Sequence, residues 1–178
     1  MGNEQKVAVI TGASRGIGAA LVEGYRGLGY RVIATARSID RSDDDDILAI
    51  AGDIADPETA ERVISAGVDR FGRIDTLVNN AGIFISKPFT GYTGEDFATV
   101  LGVNVAGFFR IIRVNAVSPG VIKTQMHPLE THEALGALHP VGRMGEIADI
   151  VESILYLESA SFVTGEILHV DGGQSAGH

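Results

Sequence analysis

Thr11-Gly12-Ala13-Ser14-Arg15-Gly16-Ile17-Gly18 stands between an apolar run, Val7-Ala8-Val9-Ile10, and a stretch in which Ile17, Leu21, Val22 and Tyr25 recur at helical spacing. Four consecutive apolar residues ending at a glycine-rich turn read as a strand buried on both faces, so a strand is predicted over residues 6–11. The 3.6-residue period that follows predicts a helix from about Gly16 to Leu28, with Gly29 as its stop. Glycine lets the backbone turn sharply and approach a ligand closely, and the first N–H groups of a helix have no partner within it. Those amides and the positive end of the helix dipole make a cradle for phosphate. Gly12, Ser14, Arg15, Gly16, Ile17 and Gly18 are therefore candidate diphosphate-binding residues. Such turns also occur for structural reasons alone; the strand before this one and the helix after it tip the reading towards a nucleotide.

Outward from this unit the alternation continues. Residues 31–36 (RVIATA) and 47–51 read as second and third strands. Asp56-Pro57 supplies an N-cap acid and a proline at the first helical position, and the helix they open has Val63, Ile64, Val68 and Phe71 as its apolar face. A fourth strand over residues 76–78 runs into Asn79-Asn80-Ala81-Gly82. Thr93 and Asp96 then form a capping box for a helix running towards Phe109. The remainder holds a strand-like run at residues 114–117, a polar loop over residues 124–140, a helix marked by Ile147, Ile150, Val151, Ile154 and Leu155, and a last strand at residues 167–170. Strand and helix in alternation imply an α/β fold, a doubly wound parallel sheet with helices on both faces.

Composition sets the boundaries. A chain of 178 residues that is 45% hydrophobic and 21% charged is long enough for one domain with a sizeable core and ordinary for a soluble protein. Its apolar runs are too short to span a bilayer, and residues 1–6 are polar and lead into a strand, so no signal peptide is expected. Without cysteine there are neither disulfides nor thiolate metal sites, which fits a reducing cytoplasm. A net charge of −9 argues against nucleic acid or an anionic membrane as partner. The acid run at residues 43–46 is read as a solvated loop after the second strand.

TGASRGIG resembles the glycine fingerprint of the short-chain dehydrogenase/reductase family, and four further segments resemble that family in order. Gly52-Asp53-Ile54 resembles the element that holds the adenine. Asn79-Asn80-Ala81-Gly82 resembles the NNAG stabilising motif. Residues 114–120, with Pro119 and Gly120, then Ile122 and Thr124, resemble the segment that clamps the nicotinamide. Residues 164–173 resemble the last strand and its exit. The resemblance implies a Rossmann-like fold over residues 1–178 as a single domain, and an oxidoreductase moving hydride between a nicotinamide cofactor and a small alcohol or carbonyl substrate. It also implies a homodimer or homotetramer, and adds Asp53, Ile54, Asn80, Ala81, Gly82, Pro119, Gly120, Ile122 and Thr124 to the cofactor-binding set.

The second strand ends Thr35-Ala36-Arg37-Ser38, with no acid where a ribose 2′-hydroxyl would be received. An arginine there favours a 2′-phosphate, and Arg15 in the glycine turn adds a second guanidinium. NADP is thus expected in preference to NAD. Asp40 is the alternative ribose acid, and Arg37 on a solvated sheet edge the plainer reading.

The catalytic set is another matter. Reducing a carbonyl by hydride transfer needs a proton donor beside the nicotinamide; the resemblance implies a tyrosine, a lysine one helical turn on, a serine and an asparagine. Tyr25, Tyr30, Tyr92 and Tyr156 are followed four residues later by Gly29, Ala34, Asp96 and Ala160, so none has its lysine. Only the asparagine has a counterpart, Asn104. Residues 107–112 resemble the middle of a helix and residues 113–117 the start of a later strand. About fifty residues of the family pattern are thus expected to be lacking at a gap near residues 110–113, among them the fifth strand and the helix after it. No Gly, Pro or Asn between Phe108 and Val114 turns the chain there, and the fourth strand is expected to keep an unpaired edge. Either the sequence skips a segment of a longer protein or a deletion has occurred; an intact mass of 18.7 kDa marks the deletion, several kDa more the skipped segment.

The weaker signals carry less. His127, His132 and His139 lack metal-ligand spacing and are read as surface loop residues. Met126, Leu129 and Leu135 are candidates to line a substrate pocket, and Arg143 and Asp149 to hold the base of the loop. Two functions compete: an NADP-dependent oxidoreductase, and an NADP-binding protein or sensor without catalysis.

Overall fold

A computed structural model describes residues 5–105, 115–160, 162–163 and 166–176. The chain falls into two compact units, Met1–Ile111 and Ile112–His178. The gap expected near residues 110–113, with the expected start of a strand at Val114, lies outside the described residues.

The first unit is the predicted α/β alternation. Strands β1 (Val7–Thr11), β2 (Arg31–Ala36), β3 (Ile47–Ala51) and β4 (Thr76–Val78) form one sheet in the order β3-β2-β1-β4. Every pairing is parallel, with Val9 opposite Ile33 on one side and Leu77 on the other. Among the described residues β4 pairs with β1 alone. Val7, Ala8, Val9 and Ile10 are all buried, so both faces of β1 are covered. Helix α1 (Gly16–Gly27) lies against β1 and β2 and buries Leu21 and Tyr25. Each such side chain contributes about 1.5–3 kcal/mol. Gly29, at φ +80°, ends α1 in the left-handed region that glycine favours.

Helix α2 (Pro57–Phe71) begins as predicted, with the Asp56 carboxylate accepting from Glu58 N at 3.1 Å. Its inner face differs from the one assigned. Thr59, Val63 and Gly67, four residues apart, are buried, while Ile64 and Val68 are exposed. A Cβ at Gly67 would lie 2.2 Å from Ile33 Cδ1: the helix approaches the sheet so closely that glycine, not a larger apolar residue, marks the contact line. Val63 joins Val7, Val9 and Ile33 in the core, with Leu48, Ile50, Phe71, Ile74 and Leu77 around them. Helix α3 (Gly94–Asn104) carries the predicted capping box, Thr93 Oγ1 accepting from Asp96 N and Asp96 Oδ2 from Thr93 N.

The acid run is not simply a solvated loop. Asp44 and Asp46 each bond Arg26 at 2.9 Å, Asp46 also reaches Arg31 and Asp45 reaches Arg70, so arginines of α1, β2 and α2 anchor the approach to β3.

In the second unit β5 (Ala116–Pro119) pairs in parallel with β6 (Ile167–Val170), and helix α5 (Ile147–Ser159) packs on both. The strand predicted at residues 114–117 lies further on. Asn115 instead brackets its start, donating from Nδ2 to Val163 O and accepting at Oδ1 from Glu166 N. Pro119 has no N–H to give the ladder, and just beyond it Gly120 N donates to Val170 O. The polar stretch over residues 124–140 is not all loop: it holds a 3-10 turn, Leu129–Thr131, and a short helix α4 (His132–Gly136). Among the described residues no helix is long and apolar enough to cross a membrane.

Candidate functional site

The glycine turn is locked from below by β4. Asn80 Nδ2 donates to Thr11 O at 3.0 Å and to Gly12 O at 3.2 Å, and Thr11 Oγ1 accepts from Asn80 N at 3.1 Å and Ala81 N at 2.9 Å. Ala13 N donates to Thr35 O, tying the turn to β2 as well. Gly12 and Gly16 have φ of +66° and +58°, a region that penalises side chains. Gly18 is required for a different reason: a Cβ there would lie 2.1 Å from Gly12 O and 2.6 Å from Asn80 Nδ2. Thr11 is the hub of this lock. The sequence places Thr11 at the end of a strand and at the head of the glycine fingerprint without assigning it a bond; a hydroxyl at the carboxyl end of β1 is the available signal.

The start of α1 differs from the other long helices. Arg15 is its N-cap and makes no side-chain cap bond, and its first turn holds no acid. Asp56 caps α2, Thr93 and Asp96 cap α3, and Asp149 accepts from Glu146 N at the start of α5. An uncapped amide turn behind two left-handed glycines is what an anion requires and what carboxylates would repel. Ser14 and Arg15 are exposed there, and Ile17 is half-buried beneath. Arg37, one residue past β2, is exposed, and neither Arg15 nor Arg37 is ion-paired among the described residues. Asp53 and Ile54 follow β3, with Asp53 Oδ1 accepting from Ala55 N to close that turn. Gly12, Asn80 and Ala81 are brought together by these bonds and Gly18 by close packing, while Ser14, Arg15, Gly16 and Ile17 follow along the same turn into α1. Arg37, Asp53 and Ile54 join them only in lying at the carboxyl ends of parallel strands, where such sheets place ligands.

Gly82 passes close to α3, where a Cβ on it would stand 3.6 Å from Asn104 Oδ1. Asn104 is bonded at both amide atoms: Nδ2 donates to Ile83 O and Oδ1 accepts from Ile83 N, both at 2.9 Å. Its amide clamps the segment after β4 onto α3.

In the second unit Gly120 N donates to Val170 O, Ile122 is buried and bridged to Gly145, and Thr124 Oγ1 accepts from Met126 N. Pro119 is exposed. Arg143 and Asp149 hold each other through two bonds, 2.7 and 3.1 Å, which with the Glu146 amide bring the Asp149 carboxyl down to about 2. That supports their reading as the base of the loop. Met126 and Leu129 are exposed. His139 overturns the surface reading: it is 3% exposed and bonded at both ring nitrogens.

Comparison with known proteins fits this geometry. The short chain dehydrogenase model matches residues 6–113, and one described as enoyl-(acyl carrier protein) reductase matches residues 109–175. The 3-oxoacyl-[acyl-carrier-protein] reductase of Vibrio cholerae is 29% identical over 240 residues, covering 97% of this chain and 98% of its own. A 3alpha-hydroxysteroid dehydrogenase of Mediterraneibacter gnavus is 29% identical over 241 residues, covering 95% and 96%. Alignments of this length exceed the 178 residues available, so about 67 aligned positions of the Vibrio cholerae relative have no counterpart here. Among solved structures, a blue fluorescent protein from a metagenomic library in complex with NADPH is 26% identical with a TM-score of 0.83, covering 96% of this chain and 98% of its own. A short-chain dehydrogenase/reductase mutant of Serratia marcescens is 27% identical with a TM-score of 0.84, covering 97% and 99%. With a family model matched over more than half its length, and with the strand–glycine turn–helix and the Asn80 lock in place, this chain belongs to the short-chain dehydrogenase/reductase family.

Proposed function

We propose that the protein binds NADP(H) and is an oxidoreductase that moves hydride between NADP(H) and a small alcohol or carbonyl compound. One observation carries the binding: α1 begins uncapped and acid-free behind Gly12 and Gly16, with Arg15 and Arg37 exposed and unpaired among the described residues. The uncapped amides suit a diphosphate and the two guanidinium groups a 2′-phosphate. Asp53 and Ile54 are proposed to meet the adenine. In the second unit Pro119, Gly120, Ile122 and Thr124 are proposed to meet the nicotinamide. The cofactor supplies the hydride; these residues bind and orient it. The structural relative solved with NADPH supports the choice of cofactor.

A second reading, binding without turnover, is favoured by a specific observation. No tyrosine in the sequence is followed by lysine four residues on, so the proton donor that the family resemblance implies has no counterpart here. The chain is proposed to be one domain interrupted near residues 110–113. A homodimer or homotetramer is proposed through α5 and β6, which expose Tyr156 and Ile167. Titrating the protein with NADPH and NADH tests the binding: NADPH is expected to bind at least tenfold tighter, and equal affinities refute the two-arginine argument. Oxidation of NADPH with any of a panel of ketones and aldehydes would exclude the second reading.

A further inference from the structure

The geometry points to His139 as a positioning residue: its neutral ring, protonated on Nδ1, fixes the turn Gly120-Val121 that leads from β5. This rests on the reading of Pro119, Gly120, Ile122 and Thr124 as the nicotinamide-facing segment.

The tautomer follows from the partners. Leu135 O lies 3.0 Å from His139 Nδ1, and a carbonyl only accepts, so Nδ1 carries the proton. Val121 N donates to Nε2 at 3.0 Å, so Nε2 carries none. A ring bonded in this way is neutral, and at 3% exposure water does not replace either partner.

The ring also fills a slot with no slack. A Cβ at Gly120 would lie 2.8 Å from His139 Nε2 and 2.9 Å from Asp171 Cα. A Cβ at Gly172, whose φ is +60°, would lie 3.2 Å from His139 Cβ and 2.7 Å from Val141 Cγ2. Glycines at both strand exits let the imidazole in, and Val141 N closes the slot by donating to Gly172 O. One side chain therefore joins the end of α4, the exit of β5 and the exit of β6. Its single acceptor nitrogen is directed at the backbone amide between Gly120 and Ile122. Loss of that acceptor leaves a half-buried N–H without a partner and frees the turn, while α5 and the β5–β6 pairing make no use of it.

Asparagine and glutamine separate the two ring nitrogens. In H139N the amide nitrogen stands near Nδ1 and keeps the bond to Leu135, but nothing reaches Val121. In H139Q an amide oxygen reaches the place of Nε2. The full chain is titrated with NADPH and with adenosine 2′,5′-bisphosphate, which has the phosphates and adenosine but no nicotinamide. H139N is expected to weaken NADPH about tenfold and leave the bisphosphate unchanged, and H139Q to restore NADPH to within about twofold of wild type. Nitrogen-15 ring spectra of the wild type, which need no variant to fold, are expected to show the Nδ1–H tautomer. Three results overturn the role while leaving the cofactor reading intact: a ring protonated on Nε2, NADPH affinity unchanged in H139N, or equal weakening of both ligands. A wild type that binds neither ligand overturns the cofactor reading, and this role falls with it.

Discussion

Gly18→Ala is the substitution on which the close packing of the phosphate turn makes a prediction opposite in sign to helix propensity. Gly18 lies inside α1, where exchanging glycine for alanine ordinarily stabilises by about 1 kcal/mol. Here the added Cβ would stand 2.1 Å from Gly12 O, 2.8 Å from Gly12 C and 2.6 Å from Asn80 Nδ2. Relief requires α1 and the turn to move apart by about 1 Å, since packed interiors do not absorb such overlap. That movement strains the packing by about 1–3 kcal/mol and stretches the Asn80 bonds to Thr11 O and Gly12 O, each worth about 1 kcal/mol. Set against the propensity gain, the net expectation is a loss of about 2–3 kcal/mol. Gly27→Ala is the control: the same helix, no atom within 4 Å of the new Cβ, and an expected change between zero and a gain of about 1 kcal/mol. Urea unfolding followed by circular dichroism measures both, and an NADPH titration of the folded Gly18→Ala protein is expected to show weakened binding. Should Gly18→Ala stabilise as much as Gly27→Ala, α1 does not approach Gly12 as described and the cradle argument fails.

Three further outcomes are expected. Arg15→Ala and Arg37→Ala should each weaken NADPH about tenfold while leaving NADH within about twofold, by paired titrations; a parallel loss on both cofactors would place the guanidiniums on the diphosphate instead. Thr35 is 1% exposed and its hydroxyl has no partner among the described residues, so Thr35→Val should raise stability by about 1 kcal/mol in urea unfolding, and a comparable drop would reveal a partner. Asp149 is held at about 2, first by the Arg143 side chain and then by the Glu146 amide, against an ordinary value of 3.8. A carboxyl lowered on folding favours the folded state above its unfolded value, and that contribution disappears as pH falls through 3.8 towards 2. Carbon-13 titration of the Asp149 carboxyl is expected to show its midpoint rising in Arg143→Met, and no change would mean the pair is not formed in solution.

What the sequence made legible, and what it hid, follow from the range of the interactions involved. The boundaries of β2, β3, β4 and β6, the Asp56 and Thr93 caps and the Gly29 stop are set by a few neighbouring residues, so periodicity and cap chemistry reach them directly. The face of α2 escaped that logic, because Thr59 and Gly67 are buried through the approach of Ile33 from another element, and apolarity gave Ile64 and Val68 the wrong weight. The start of β5 escaped it for a similar reason: its register is set by β6 and by the bonds of Asn115 to Val163 and Glu166, about fifty residues away. His139 is the clearest case. Three loop histidines with the same local surroundings were indistinguishable in sequence, and only the meeting of α4, β5 and β6 buries one of them with both nitrogens bonded. Its signature was nevertheless written at a distance, in Gly120 and Gly172, whose missing side chains are the space the imidazole occupies. The same relation ties Gly12 and Gly18 to Asn80. In both units a glycine explained by nothing nearby in sequence marks a polar side chain arriving from elsewhere to bond its turn, and that pairing is the part of a site that strand and helix patterns leave out.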